Sequence, residues 1–162
     1  MSKIYSYKKE DKLKSRKQTQ FLFAKGQSMN AFPIKLIYTI ENLEQLSGIL
    51  PSPFLNLTTI KEQGQLQTGV GAPSRTFRKA VMRNRVKRLL REGYRLEKPT
   101  FIAGNPIQGF RVNLFFLYTD ANVLSQKEIQ EKIKQLLARL SEKLNQLKSA
   151  TGDGSKSSEL KN

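Results

Sequence analysis

The sequence predicts a single α+β domain, and three patterns carry that expectation. Residues 32–40 alternate, with Phe32, Ile34, Leu36, Tyr38 and Ile40 all apolar, which is the period of a half-buried strand. Residues 77–95 place apolar side chains on one side and a dense set of cations on the other when laid out at a helical 100° per residue. Ile129, Ile133, Leu136, Leu137, Leu140, Leu144 and Leu147 recur at helical spacing, a wide apolar stripe. Strands and helices mixed within 162 residues fit one core. The expected order is αβββαβα over residues 15–147, after a flexible basic arm (1–14) and before a disordered tail (148–162).

Each element has a local reason. Ser15 with Gln18 forms a capping box for a short first helix, and Gly26 is expected to end it in the left-handed conformation. The alternating strand 32–40 follows, then a loop-like stretch with Gly48 and the breaker Pro51-Ser-Pro53. Residues 54–60 and 66–71 read as two strands joined around Gln63-Gly64. Pro73 stops the second of them, because proline cannot donate to a ladder. Residues 77–95 form the cationic helix, bounded by the glycine and proline residues around it. A turn-rich loop spans 104–109, and 111–119 is a strand rich in Phe, Leu and Tyr. Ser125 and Glu128 form a second capping box, with Leu124 and Ile129 as its hydrophobic staple, and the apolar stripe follows. Residues 148–162 carry Gly, Ser and Lys with no core-forming run, hence the expected disorder.

Composition narrows the chemistry. There are 29 Lys and Arg against 13 Asp and Glu, a net charge of +16. Residues 75–98 alone hold ten cations against two Glu, half of that net charge. A generic soluble surface intersperses both signs, whereas concentration of one sign is the footprint of a polyanion binder. The chain has no Cys and no His, and its Asp residues are Asp11, Asp120 and Asp153. A Ser-His-Asp hydrolase, a His-dependent nuclease and a thiolate or His metal site are thereby excluded. The longest near-continuous apolar run, 112–118, is far short of the roughly 20 residues that span a bilayer. The first seventeen residues hold no apolar stretch fit for a signal peptide. A cytoplasmic protein with neither a membrane partner nor a small-molecule substrate is expected.

The cationic helix carries the functional signal. Met82, Val86, Leu89 and Gly93 fall on one face, flanked by Leu90. Asn84, Lys87, Arg88, Arg91 and Arg95 fall opposite, with Arg83 and Arg85 on the flanks. Lys87–Arg91, Arg88–Arg91 and Arg91–Arg95 are like-charge neighbours, each unfavourable by roughly 0.2–0.5 kcal/mol, with Glu92 nearby to relieve them. Such repulsion suits a face that meets an anion, and guanidinium forks match phosphate oxygens. Arg75, just ahead of the expected helix, and Arg78 and Lys79 in its first turn continue the cationic run. A solvated face of a core-packed helix is the plainer alternative.

Lys79-Ala-Val-Met-Arg-Asn-Arg-Val-Lys-Arg-Leu-Leu-Arg-Glu-Gly-Tyr-Arg95 closely resembles the signature helix of the bacterial ribonuclease P protein component. The short helix ending Phe23-Ala-Lys-Gly26, the strand after it and the approach from Gly69 to Phe77 keep that family's order and spacing, so the resemblance covers most of 13–147. It implies an α/β sandwich of ribosomal-protein type, a four-stranded sheet and a left-handed βαβ crossover at the signature helix, against the general right-handed rule. It implies 5′ maturation of precursor tRNA by a catalytic RNA subunit that holds magnesium. Arg83, Asn84, Arg85, Lys87, Arg88 and Arg91 then face the catalytic RNA, and a cleft between the first helix and the sheet holds the single-stranded 5′ leader. A structural ribosomal or ribosome-assembly protein of similar fold is the competing reading.

For that cleft the candidates are Phe23, as a base-stacking or a core aromatic, and Lys35 with Ile37 on the odd face of the first strand, lining the cleft or merely solvated. With few amides or acids in view, sequence-tolerant leader contacts are expected. The chain departs from the family at three places. Thr19 stands where the family has a second aromatic, Ser74-Arg75-Thr76 dilutes its basic run, and the 41–66 segment is longer.

Overall fold

The computed structural model describes residues 12–13, 16–42, 65–104 and 110–160, with the side chains of residue 65 and of 150–160 excepted. The elements are α1 (Arg16–Lys25), β1 (Gln27–Ala31), β2 (Ile34–Asn42), β3 (Gln65–Gly71), α2 (Ala80–Gly104), β4 (Phe110–Tyr118) and α3 (Gln126–Leu160). They form a four-stranded sheet ordered β1-β2-β4-β3. β1–β2 and β2–β4 are antiparallel, whereas β3 and β4 are parallel and joined through α2.

The sheet has two unlike faces because side chains alternate along each strand. Ile34, Leu36 and Tyr38 of β2 stand opposite Tyr118, Phe116 and Leu114 of β4, and with Leu66 and Val70 of β3 they make the floor of the core. Helices α2 and α3 cover that floor. Val86, Leu90, Tyr94 and Phe101 of α2 and Ile129, Ile133, Leu136, Leu140 and Leu144 of α3 are buried against it. Each such side chain contributes roughly 1.5–3 kcal/mol of apolar burial. The two helices approach closely at Gly93, where a Cβ would stand 2.8 Å from Ile133 Cδ1. The expected capping box opens α3: the Ser125 N–H donates to Glu128 Oε2 (2.9 Å) and the Glu128 N–H to Ser125 Oγ (3.3 Å). Among the described residues no helix is long and apolar enough to cross a membrane.

The element order agrees with the sequence reading, but the strands are not the same ones. The alternating segment starts its strand at Ile34, after a turn at Phe32–Pro33, and an additional strand, β1, precedes it. Gln27-Ser-Met-Asn-Ala31 gives no alternating signal because it is an exposed edge strand that buries little besides Ala31. The expected strand at 54–60, the Ser15 cap and most of the basic arm lie outside the described residues. Gly26 follows α1 without the left-handed backbone. It is small because a Cβ there would run into the Leu22 carbonyl and crowd Ile37 Cγ2 at 3.0 Å.

Both long helices run past their expected ends. Helix α2 continues through Pro99 to Gly104, anchored by Phe101, which is buried in its last turn. Gly93 lies well inside the helix, at its crossing with α3. Helix α3 continues to Leu160, into the segment 148–162 for which composition leads to the expectation of disorder. The residues after Lys148 contain no proline, and Gly152 and Gly154 cost about 1 kcal/mol each without blocking propagation from a packed helix. In the arm, Leu13 N–H donates to Thr68 O (3.0 Å) and Lys12 bridges Thr68, so this part of the arm lies along β3.

Candidate nucleic-acid interface

Helix α2 faces two ways. Its buried line is Val86, Leu90, Gly93, Tyr94 and Phe101, with Met82 and Leu89 partly buried beside it. This is rotated roughly 50° from the line expected from sequence, toward Leu90 and Tyr94. The opposite side exposes Val81, Asn84, Arg85, Arg88 and Arg91. Lys87 lies half-buried at the border, so Arg85 stands nearer the centre of the cationic face than Lys87 does. Arg75, Arg78 and Lys79 are exposed on the approach to the helix.

Two of the expected cations are engaged within the fold. Arg83 Nη1 donates to the carbonyls of Phe77 (2.8 Å) and Arg78 (2.9 Å), tying the helix to the turn that leads into it. That turn is itself closed by Phe77 N–H donating to Pro73 O at 3.0 Å. Arg95 holds Glu92 through two bonds of 2.9 and 2.6 Å. The Arg95 hydrogen bond keeps the Glu92 carboxyl below its ordinary range, and the same bond raises Arg95. By contrast Arg85, Lys87, Arg88 and Arg91 have no ion-pair partner among the described residues.

A second surface lies on the other face of the sheet, beneath α1. Its rows follow from strand register: Ile37 opposite Phe115 and Gly69, Lys35 opposite Leu117 and Gly71, Thr39 opposite Asn113 and Gln67, Glu41 opposite Arg111. The Phe115 ring lies over β3 at two glycines. A Cβ at Gly69 would stand 2.8 Å from the ring and one at Gly71 2.7 Å, so neither position accepts a side chain without moving it. Phe23 of α1 meets Phe115 edge-on, with centroids 4.9 Å apart, and remains 47% exposed. Beyond this pair the floor turns polar. Thr39 Oγ1 and Asn113 Oδ1 have no hydrogen-bond partner among the described residues, and Arg111 Nε lies 4.0 Å from Glu41 Oε2.

These two surfaces, a cationic helix after a β3 approach and an α1–sheet cleft, are the parts whose order the sequence shares with one family. The sequence model of the Ribonuclease P family matches residues 7–141. The chain belongs to that family. Among ribonuclease P relatives, the protein component of Porphyromonas gingivalis (strain ATCC 33277) is 29% identical over 96 residues. That match covers 58% of this chain, and the chain spans 56% of that relative's length. In fold, the chain is similar to the Staphylococcus aureus RNase P protein, with a TM-score of 0.53 at 16% identity over 82% of this chain and 96% of that one. A mutant of that protein, described as defective in mRNA degradation activity, gives 0.54 at 15% identity over 82% and 89%. At these identities the likeness is one of fold.

The ribonuclease P signature helix thus brings Asn84, Arg85, Arg88 and Arg91 together on an exposed face, with Lys87 at its edge. The cleft brings together Phe23, Lys35 and Ile37, with Ile37 buried and Lys35 half-buried. Sequence reasoning missed Phe115 and, farther along the same face of the sheet, Asn113, Arg111 and Glu41. The signal was present in the odd positions of 110–118, which alternate against the core-facing even ones. Only the register, however, brings them beside β2.

Proposed function

We propose that the chain is the RNA-binding protein subunit of ribonuclease P, assisting a catalytic RNA in endonucleolytic removal of the 5′ leader from precursor tRNA. The observation that carries this reading is the exposed face of α2, where Arg85, Arg88 and Arg91 carry unpaired charge on a helix whose other side is locked into the core. Four adjacent cations, Lys87 included, that lack internal partners are matched by closely spaced phosphates, and guanidinium groups take phosphate oxygens bidentately. Arg75, Arg78 and Lys79 extend the same contact. Arg83 and Arg95, each already bonded within the protein, contribute charge while shaping the helix and its entry.

On this reading the α1–sheet cleft receives the leader, with Phe23 offering a stacking face and Lys35 a phosphate contact. Magnesium belongs to the RNA subunit. Among the described residues no group of three or more Asp, Glu, His or Cys side chains comes together. The work of its own residues is to hold and orient RNA.

Purifying the chain from its native cells and sequencing the RNA that accompanies it tests the reading. Enrichment of the RNA subunit of ribonuclease P is expected, and the protein freed of RNA is expected not to cleave precursor tRNA. Enrichment of ribosomal RNA instead would transfer the chain to the ribosomal-assembly reading.

A further inference from the structure

A cavity of about 590 Å³ opens beside α1, lined by Phe21 and Lys25 of that helix, Thr39 and Glu41 of β2, and Lys143 and Leu147 of α3, among others. Phe21 and Phe23 are two residues apart, a rotation of about 200°, so they leave α1 on nearly opposite sides. Phe23 turns to Phe115, and Phe21 turns to the cavity with 47% of its surface exposed. Its volume lies within the roughly 300–1,000 Å³ of sites that enclose a small organic ligand.

The lining favours a nucleotide of single-stranded RNA. Such strands are held by a cationic track for the backbone and aromatic faces for the bases. Lys25 and Lys143 supply the first from two different helices, and neither has an ion-pair partner among the described residues. Phe21 supplies the second. Glu41, the one acid in this lining, stands 4.0 Å from Arg111, which offsets its charge. The cavity is also continuous with the cleft. Lys35, Ile37, Thr39 and Glu41 share one face of β2; the first two are cleft residues and the last two line the cavity. An acidic peptide would engage the two lysines but would leave the aromatic face without a role.

We propose that this cavity takes a second nucleotide of the strand that occupies the cleft, its base against Phe21 and its phosphate between Lys25 and Lys143. The proposal rests on the reading of the cleft as the leader site. The test uses the holoenzyme reconstituted with ribonuclease P RNA, and measures affinity for mature tRNA and for precursors of stepwise longer leader. Phe21→Ala should weaken the longer-leader precursors roughly tenfold, as expected for one lost stack. Lys143→Gln, at an exposed position, should weaken them about threefold, one phosphate contact. Neither should change binding of mature tRNA or of a precursor whose leader ends at the cleft.

Unchanged affinity for every leader in both variants, with Phe23→Ala still harmful, overturns the cavity and leaves the cleft standing. Loss that is equal for mature tRNA and precursors also overturns it, because the contact is then to another part of the assembly. No effect of Phe23→Ala on any leader removes the leader reading and the proposal with it. Should Phe21→Ala lower the melting temperature, Lys143→Gln alone decides between these outcomes.

Discussion

The outer face of α2 and the floor beneath α1 are both proposed to meet RNA, yet they are built in different ways. The α2 face comes from one helix, and its cations project from a backbone that the core holds from behind. The floor is assembled from α1 and three strands, and its aromatic centre exists only because β3 offers two glycines to the Phe115 ring. On α2, Arg83 and Arg95 apart, binding groups and stabilising groups are separate side chains. In the cleft they are partly the same ones. Substitutions should therefore separate stability from binding on α2 and entangle them beneath α1.

The largest effect tests the inner side of α2. Leu90→Ala should cost about 2–5 kcal/mol in chemical denaturation, because the side chain is fully buried between sheet and α3. Arg88→Ala, on the outside, should stay within about 0.5 kcal/mol. Similar costs for the two would break the division of that helix into a holding side and a binding side.

Next comes the cleft. Gly71→Ala should destabilise by about 1–3 kcal/mol, since the new methyl group lands on the Phe115 ring and near Leu117 Cδ1 at 3.2 Å. It should also alter leader-dependent binding, the entanglement that α2 avoids. A stable Gly71→Ala protein with unchanged Phe115 resonances would show that the ring does not need the glycine.

Arg83 sharpens the comparison from within α2. Arg83→Ala should lose about 1–2 kcal/mol with its bonds to the Phe77 and Arg78 carbonyls, unlike Arg88→Ala. Equal stability of the two variants in thermal melts would return Arg83 to the purely RNA-facing set.

The smallest effect is at the start of α3. The Ser125 backbone and hydroxyl bonds, with Lys132 nearby, lower the Glu128 carboxyl below its ordinary 4.5. A lowered folded-state value means stability that is present above 4.5 and lost as pH falls through the lowered value. Glu128→Ala should therefore melt slightly lower than the parent at pH 7, with the gap closing toward pH 3. A gap that persists unchanged at pH 3 would show that the ionised carboxyl is not its cause, since alanine is the better helix former.

The same contrast explains what the sequence disclosed. The α2 face was legible because a single 3.6-residue period sorts Arg88 from Leu90, and its rotation was missed because Tyr94, near the end of the signature, and Phe101 beyond it pull the helix inward. The Ser125–Glu128 cap was legible because it is local. Strand β1 was not, since an exposed edge strand buries too little to show a pattern. The cleft was half legible. Phe23, Lys35 and Ile37 follow from α1 and the alternating strand, whereas Phe115 and Asn113 come from a segment some eighty residues away, beside β2 only through a register that no local pattern specifies. The end of α3 left no trace in composition, which argues about burial, whereas a helix already nucleated needs none to continue.

The central claim is that the exposed cations of α2 form the docking surface for RNA, and the most direct measurement is a salt series. The affinity of ribonuclease P RNA for the parent chain and for an Arg85→Ala, Arg88→Ala, Arg91→Ala variant is measured from low to physiological ionic strength, with melting temperatures alongside. Each lost phosphate contact should flatten the log–log slope by about 0.7–0.9, so the variant should bind more weakly with a slope shallower by roughly two to three. Its melting temperature should stay near that of the parent. A variant that is as stable as the parent and binds with the same affinity and the same slope would show that RNA docks elsewhere.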